Sequence, residues 1–302
     1  MLLGVAATPD VALPTLDWLL TSHYQLDRVI TQPDRPSGRG QKVNTSAVSE
    51  WAQRNCVKVF KPVDNLEIKD AISGLDLLIT IGYGRILPQE LLTIPTFGCV
   101  NLHFSLLPKY RGAAPVQRAI QNGESSTGVT VFRLDAGMDT GPIYTSATVA
   151  IDKDDRSYEL LAKLAQIGVT CLADAITQIE NGVMPKAQSG SASIAKKITK
   201  QEAEIDWNNS SSSVVNAIRA FYPQPGAWSL FRGQSLKITD AEIAPAQSHL
   251  APGELLTVDG YVLVGAADGA ISLKTVVPSG KNEMSALDWS RGARFASGES
   301  LG

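Results

Sequence analysis

Cysteine and histidine are scarce in this chain, with three of each among its 302 residues. Cys56, Cys99 and Cys171 lie far apart and never in C-x-x-C spacing, which disfavours a disulfide framework or a zinc ribbon and favours a reducing compartment. No histidine has the H-E-x-x-H spacing of a helical zinc site, so we expect no metal. Cys99 is predicted to be a small buried strand residue.

Strong net charge and long uncharged apolar runs are also absent. The 27 basic residues are nearly balanced by 30 acidic ones, giving a formal net charge of −3, so any contact with nucleic acid must come from a local patch. Residues 2–7 form a short apolar run without a preceding basic segment, which predicts a strand and not a signal peptide. No uncharged apolar stretch approaches the ~20 residues of a spanning helix. We therefore expect a cytoplasmic protein with no membrane partner.

The first half of the chain alternates strand-like and helix-like segments. Strands are predicted over residues 3–7, 26–31, 57–60, 75–81, 100–103, 128–134 and 143–151, and helices over 11–20, 47–55 and 113–121. Asp10 is available as the N-cap of the first helix. Unalternated apolar runs such as residues 75–81 are typical of buried parallel strands. The fold class predicted is α/β, with a Rossmann-like, doubly wound, mostly parallel sheet whose ligand crevice lies at the carboxyl ends of the strands.

The second half has a different character. An amphipathic helix is predicted over residues 158–181, ending at Gly182, and a serine- and lysine-rich segment follows it. Short strands with glycine-rich turns then suggest a small OB-like β-barrel. The predicted organisation is a catalytic domain over residues 1–183, a linker over 184–203 and an OB-like domain over 204–302.

Asn101, His103 and Asp139 are the side chains that suggest chemistry. Alternation along one strand puts Asn101 and His103 on the same face, where both can reach one carbonyl oxygen. With no serine or cysteine nucleophile beside them, an amide, an imidazole and a carboxylate suit direct acyl transfer to an amine, which needs a proton acceptor and oxyanion donors. Taken alone, however, the three residues are better explained as satisfied polar groups that close a strand and a turn.

The surrounding motifs are far more specific. Residues 101–117 read NLHFSLLPKYRGAAPVQ, residues 128–131 read GVTV, and residues 134–141 read LDAGMDTG. Together they resemble the folate-dependent formyltransferase family. The resemblance runs nearly end to end, through ATPD at 7–10, TQPDRPSGRG at 31–40, YGRILP at 83–88, IDW at 205–207 and PQPGAW at 223–228.

The resemblance implies a reaction and its partners. A formyl group would pass from 10-formyltetrahydrofolate, as cosubstrate, to the α-amino group of methionine on initiator methionyl-tRNA, for translation initiation. On matching positions, Asn101 and His103 would hydrogen-bond the developing oxyanion, and Asp139 would assist deprotonation of the amine. The first domain would bind folate and the OB-like domain would contact tRNA. Phe104 and Gln224 depart from the residues usual in the family.

Further binding residues follow from the same resemblance. Folate is expected to border Ser105, Leu106, Leu107 and Pro108 and to meet backbone groups at Arg85, Ile86 and Leu87. The loop at residues 34–42 is expected to reach the acceptor end of the tRNA through Arg39, with Arg35 and Lys42 beside it. A solvated surface loop is the alternative interpretation of that segment. Weaker candidates for contact with tRNA are Lys196, Lys197, Lys200, Arg291 and Arg294. The lysines are equally explained as ordinary exposed residues.

Other functions share parts of the pattern. A sugar-nucleotide N-formyltransferase would use the same folate donor and the same three site residues, but the AAPVQ run at 113–117, the loop at 34–40 and the PQPGAW motif favour tRNA. A glycinamide ribonucleotide formyltransferase would lack the second β domain. A binding module without activity would have lost one of the three site residues. A dinucleotide oxidoreductase is disfavoured because no G-x-G-x-x-G follows the first strand. A monomer is expected.

Overall fold

The computed structural model describes residues 1–37, 42–244, 250–296 and 298–302. The contacts divide the chain into two compact units. The first comprises Met1–Gly112, Thr127–Ala150 and Leu161–Ile194, and the second comprises Ala113–Ser126, Ile151–Leu160 and Ala195–Gly302. The predicted domain boundaries near residues 183 and 204 stay a prediction.

Strands and helices alternate through the first two thirds of the chain. The strands are β1 Leu2–Ala7, β2 Gln25–Ile30, β3 Arg35–Ser37, β4 Lys42–Asn44, β5 Lys58–Phe60, β6 Leu77–Ile81, β7 Cys99–His103, β8 Arg111–Gly112, β9 Ser126–Arg133, β10 Ile143–Ala150 and β11 Ile194–Ala195. The helices are α1 Leu13–Thr21, α2 Ala47–Arg54, α3 Asn65–Ile72, α4 Gln89–Leu92, α5 Pro115–Gln121 and α6 Ser157–Glu180.

The main sheet of the first unit has seven strands in the order β10-β9-β7-β6-β1-β2-β5. The five strands from β7 to β5 are parallel to one another, whereas β9 runs antiparallel to β7. Every residue of β6 is buried, as expected for a strand covered on both faces. The predicted mostly parallel, Rossmann-like sheet is confirmed.

Cys99 opens β7 and is 1% exposed. Burial raises the pKa of its thiol to about 12, so the thiolate needed for nucleophilic chemistry is not formed at neutral pH. The interpretation of Cys99 as a buried strand residue is therefore confirmed.

The start of the first helix differs from the prediction. Asp10 lies in a short 3₁₀ turn, Asp10–Ala12, and α1 begins after it with Ala12 as an N-cap that makes no side-chain hydrogen bond. The prediction that Asp10 caps this helix is wrong. Pro14 in the first turn explains the difference, because proline has no N–H to be capped and its fixed φ already suits a helix start.

Among the helices that the sequence analysis missed, α3 and α8 (Ala286–Ala293) each carry a capping signal. Asp64 accepts a hydrogen bond from the backbone N–H of Glu67 at the start of α3. Ser285 accepts one from the N–H of Asp288 at the start of α8. Both are polar N-caps followed three residues later by an acidic residue, a pattern close to the capping box.

The second unit is built around an antiparallel sheet. Its remaining elements are α7 Ser211–Phe221, β12 Ala227–Phe231, β13 Gln234–Ile243, β14 Leu255–Val258, β15 Tyr261–Ala266, β16 Gly269–Pro278 and β17 Met284–Ser285. The strand order is β12-β13-β16-β15-β14, with β17 added beside β16. The predicted second β domain is confirmed as a separate domain built on an antiparallel sheet.

Helix α6 is long and apolar enough, by length and composition alone, to cross a membrane. Its apolar character has another use in this fold, because Leu160, Leu164, Leu172 and Ile176 are completely buried within the protein. Their spacing of four and eight residues forms the single apolar stripe expected of a helix that packs on a core.

Two isoleucines provide a matched test of this core. Ile79 in β6 is completely buried, whereas Ile86 is 82% exposed. We expect Ile79→Ala to lower the free energy of unfolding by about 2–5 kcal/mol through lost burial and a residual cavity. Ile86→Ala should change it by less than about 0.5 kcal/mol. Urea unfolding followed by circular dichroism measures both, and equal effects would contradict this packing.

Candidate active site

Asn101 projects from β7 beside Thr80 of the neighbouring strand β6. The Thr80 hydroxyl donates a hydrogen bond of 2.7 Å to Asn101 Oδ1, and the two residues are register partners in the sheet. With Oδ1 engaged in this way, the amide nitrogen is the end of Asn101 that remains to serve as a donor. The sheet therefore fixes the orientation of the Asn101 amide, and its oxyanion role stays a prediction.

His103 ends the same strand with only 7% of its side chain exposed. Its Nε2 lies 2.9 Å from the backbone carbonyl oxygen of Tyr110. A carbonyl oxygen can only accept, so in the neutral imidazole Nε2 carries the proton and Nδ1 is the acceptor. The ring of Phe132 packs edge-on against the imidazole, with centroids 6.4 Å apart.

Asp139 lies opposite the free nitrogen of this imidazole. Its Oδ2 is 3.8 Å from His103 Nδ1, too far for a hydrogen bond but close enough for strong electrostatic interaction. The same oxygen accepts a 2.7 Å hydrogen bond from the backbone N–H of Gly112. The three residues predicted from the sequence therefore supply an amide, an imidazole and a carboxylate from β7 and one loop.

The loop that carries Asp139 is shaped by its own motif. Asp135 Oδ1 accepts hydrogen bonds from the backbone N–H of Gly137 and the hydroxyl of Thr140, at 3.1 and 2.7 Å. A Cβ on Gly141 would lie 1.7 Å from the carbonyl oxygen of Arg133, so only glycine fits there. Asp139 itself has a φ of +55°, a conformation that costs free energy in any residue but glycine and is concentrated at functional sites.

The route of this loop differs from the expectation. In a parallel sheet, the loops that follow the strands all lie at the carboxyl ends of the strands. Strand β9 is antiparallel to β7, and the backbone N–H of Leu134 bonds to the carbonyl oxygen of Cys99 at the start of β7. The loop therefore leaves the sheet at the end of the strands opposite to His103. The course of the loop itself then brings the Asp139 carboxylate back to within 3.8 Å of the His103 imidazole.

Burial and charge act in opposite directions on His103. Burial is the larger effect and lowers the pKa of the imidazole, while the Asp139 carboxylate and the Tyr110 carbonyl raise it. The net direction is downward from the ordinary value of about 6.5. The resting site therefore holds a neutral imidazole with a free lone pair on Nδ1 at neutral pH.

The segment predicted to border folate is rigidly held. The Thr130 hydroxyl donates to the carbonyl oxygen of Ser105 at 2.7 Å and accepts from the backbone N–H of Leu107 at 3.2 Å. The Ser105 hydroxyl turns inward to the carbonyl oxygen of Lys109, at 2.7 Å. Leu107 and Pro108 are buried, whereas Leu106 is half-buried. Contact of Ser105, Leu106, Leu107 and Pro108 with folate stays a prediction.

The second predicted folate segment follows β6 and exposes an apolar side chain. Ile86 is 82% exposed, while the next residue, Leu87, belongs to the core. Arg85 donates to Asn65 Oδ1 at 3.1 Å. A cavity of about 540 Å³ opens here, lined by Gln32, Pro33, Asp34, Pro62, Val63, Gly84 and Arg85. An exposed isoleucine and valine beside such a cavity suit an apolar ligand.

The predicted tRNA loop contains a short hairpin that the sequence analysis missed. Strands β3 and β4 pair antiparallel, with Arg35 opposite Asn44 and Ser37 opposite Lys42. Arg39 lies outside the described residues. The roles of Arg35, Arg39 and Lys42 in binding tRNA stay predictions.

Several residues that shape the site were not identified from the sequence. Thr80, Tyr110 and Gly112 act through hydroxyl or backbone groups, which carry no motif of their own. Gln188 was assigned to the linker because serine and glycine follow it, yet its side chain contacts the backbone of Asp139. For Gln188, composition pointed away from a specific role.

Comparison with known proteins identifies the chain's relatives. The family model described as formyl transferase matches residues 8–176, and the model of the formyl transferase C-terminal domain matches residues 197–294. A methionyl-tRNA formyltransferase of Thermobifida fusca (strain YX) is 42% identical over 308 residues, covering 100% of this chain and 99% of the relative. One of Streptomyces coelicolor is 40% identical over 311 residues and covers 100% of both chains.

A solved structure supports the fold. A sugar 3N-formyl transferase, WlaRD, solved in the presence of dTDP and 5-N-formyl-THF, superposes with a TM-score of 0.69 at 21% identity, covering 93% of this chain and 99% of that one. At this identity the likeness concerns the fold alone. The two family matches and the full-length relatives, taken with the amide, imidazole and carboxylate at the end of β7, place this chain in the formyl transferase family.

Proposed function

We propose that this chain transfers the formyl group of 10-formyltetrahydrofolate to the α-amino group of methionine on initiator methionyl-tRNA. The observation that carries the proposal is the Asn101, His103 and Asp139 cluster, on a chain whose full-length relatives at about 40% identity are methionyl-tRNA formyltransferases. The reaction takes place in the cytoplasm, where translation begins, and the chain acts as a monomer.

The reaction joins the amine nitrogen to the formyl carbon and breaks the bond from that carbon to N10 of the folate. The amine loses a proton, N10 gains one, and the formyl oxygen carries negative charge in between. The amide nitrogen of Asn101, held by Thr80, donates a hydrogen bond to this oxygen. No covalent bond to the protein is needed, because the acceptor amine is itself a good nucleophile.

His103 handles the proton. In its resting neutral form, Nδ1 has a free lone pair and accepts the proton of the attacking amine. The resulting imidazolium lies beside the Asp139 carboxylate, which stabilises its charge. Protonated Nδ1 then donates a hydrogen bond to the oxyanion and supplies the proton for N10. Asp139 thus assists deprotonation of the amine by making the imidazole a stronger base.

Folate binding is assigned to the two segments at the carboxyl ends of β6 and β7. The half-buried Leu106 and the exposed Ile86 provide apolar surface for a flat heterocycle, and backbone groups at Arg85, Ile86 and Leu87 provide hydrogen bonds. The rigid loop held by Thr130 supports this role because a pre-organised site loses little entropy on binding. The folate supplies the activated formyl group.

The tRNA side is assigned to the hairpin of β3 and β4 with its connecting residues. Arg35, Arg39 and Lys42 concentrate positive charge in this short segment, which suits the phosphates of an acceptor end. A guanidinium such as that of Arg39 can also stack on an unpaired base. The sugar-nucleotide alternative shares the folate chemistry, so only the acceptor distinguishes the two.

Replacing the site residues one at a time should reduce the chemical step. We expect Asn101→Ala and His103→Ala each to lower kcat for formyl transfer by about 100-fold or more, because one oxyanion donor contributes roughly 3 kcal/mol. Transfer of radiolabelled formyl from 10-formyltetrahydrofolate to charged initiator tRNA measures kcat. Wild-type transfer to a sugar-nucleotide amine and not to methionyl-tRNA would contradict the proposed acceptor.

The pKa of His103 tests its electrostatic pairing with Asp139. Because the carboxylate raises this pKa, Asp139→Asn should lower it further below the ordinary value of about 6.5. In the wild type, kcat/KM should decline only as the pH falls through this lowered pKa, because protonation then removes the lone pair on Nδ1. With three histidines in the chain, NMR titration of assigned imidazole signals measures the shift. An unchanged or raised pKa in the variant would argue against the pairing.

Arg39 should matter for the tRNA and not for the folate. We expect Arg39→Ala to raise KM for methionyl-tRNA about 10-fold or more, since a hydrogen bond to a charged group contributes about 1.5–3 kcal/mol. KM for 10-formyltetrahydrofolate should stay within about twofold. Arg54→Ala, at an exposed position of α2, is the control and should change neither. If Arg39→Ala changed KM for methionyl-tRNA no more than Arg54→Ala does, the loop would be an ordinary solvated surface loop.

A further inference from the structure

Gln188 makes four hydrogen bonds, two to the active-site loop and two to Arg111 of β8. Its Nε2 donates to the carbonyl oxygens of Asp139 and Gly141, both at 2.8 Å. Its Oε1 accepts from Nη2 and Nε of Arg111, at 2.6 and 3.2 Å. Both donors and both lone pairs of the amide are therefore used, which is unusual for a residue in a segment that looks like a linker.

The position of Gln188 in the chain sets it apart from the residues around it. It lies between the parts of the chain matched by the two family models, after residue 176 and before residue 197. It is half-buried, whereas the residues on either side of it are exposed. The side chain is therefore turned inward as an anchor, while the backbone around it remains at the surface.

Gln188 contacts both the backbone of Asp139 and the strand beside its carboxylate. Asp139 has a φ of +55°, a conformation that persists only where surrounding contacts impose it. Gln188 holds the carbonyl oxygen of this strained residue. Through Arg111 it also holds the residue next to Gly112, whose N–H binds the Asp139 carboxylate. One side chain thus connects the backbone of Asp139 with the strand that orients its carboxylate.

We propose that Gln188 is a positioning residue that fixes the Asp139 carboxylate opposite His103 during formyl transfer. The inference rests on the proposed function for its effect on rate. Gln188 touches neither substrate, and it acts through Asp139. Without its donors, the loop relaxes from the left-handed conformation and the carboxylate moves away from the imidazole.

Two substitutions separate the possible roles of this side chain. Gln188→Met keeps the length and the apolar stem but removes all four hydrogen bonds. Gln188→Glu keeps the acceptor for Arg111 and removes both donors to the Asp139 and Gly141 carbonyls. Gln121→Met is the matched control, because Gln121 Oε1 also accepts from an arginine, Arg118, at 2.8 Å but belongs to the second unit.

We expect both Gln188 variants to lower kcat by about 10- to 100-fold, as displacement of a reacting group by about 1 Å does. KM for both substrates should stay within about twofold, and Gln121→Met should match the wild type. Gln188→Glu with wild-type kcat would overturn the proposal, because the link to Arg111 would then suffice. A change confined to KM or to melting temperature in both Gln188 variants would overturn it as well.

The pKa of His103 provides a readout that is independent of catalysis. Displacement of the carboxylate in Gln188→Met should lower this pKa in the same direction as Asp139→Asn, while Gln121→Met leaves it unchanged. If wild-type protein fails to formylate methionyl-tRNA, the proposed function fails, yet this titration still tests the positioning role. An unchanged His103 pKa in folded Gln188→Met would overturn the inference.

Discussion

The hydrogen bond between His103 Nε2 and the Tyr110 carbonyl oxygen is the interaction on which the site depends. It commits one ring nitrogen to the backbone, so the other is the one left for the proposed proton transfer. Burial keeps that second nitrogen unprotonated at rest, and Asp139 makes it ready to accept a proton. A different tautomer would place a lone pair against a carbonyl oxygen and a proton on the nitrogen that faces Asp139.

Backbone strain is concentrated around the same imidazole. Tyr110 and Asp139, the residues that face its two nitrogens, have φ values of +61° and +55°. Neither is glycine, so both conformations must be imposed by neighbouring hydrogen bonds. Gly112 and Gln188 supply them for Asp139. Several segments that are distant in sequence therefore hold the site at once.

Much of the fold and part of the site could be predicted from local patterns. Buried strands such as β6 have an apolar run that leaves few alternatives, and Asn101 and His103 share a face through simple alternation. The DAGMDTG loop also carries its own geometry, since Gly141 lies against the carbonyl oxygen of Arg133. The helices α3 and α8 could also have been predicted from their N-cap residues, but they were missed. The direction of β9 had no local signal, because strand orientation depends on pairing and not on composition.

The sequence by itself determined the residue types of the site, the alternation that pairs Asn101 with His103, and the family to which the chain belongs. Only the tertiary structure decided which imidazole nitrogen is free and how the loop brings Asp139 back from the opposite end of the strands. It also decided that Gln188 contacts the loop that carries Asp139. The physical reason is that these features depend on carbonyl and amide groups brought together from distant segments. Nearly every residue carries such groups, so the residue type does not indicate which of them will meet in the fold.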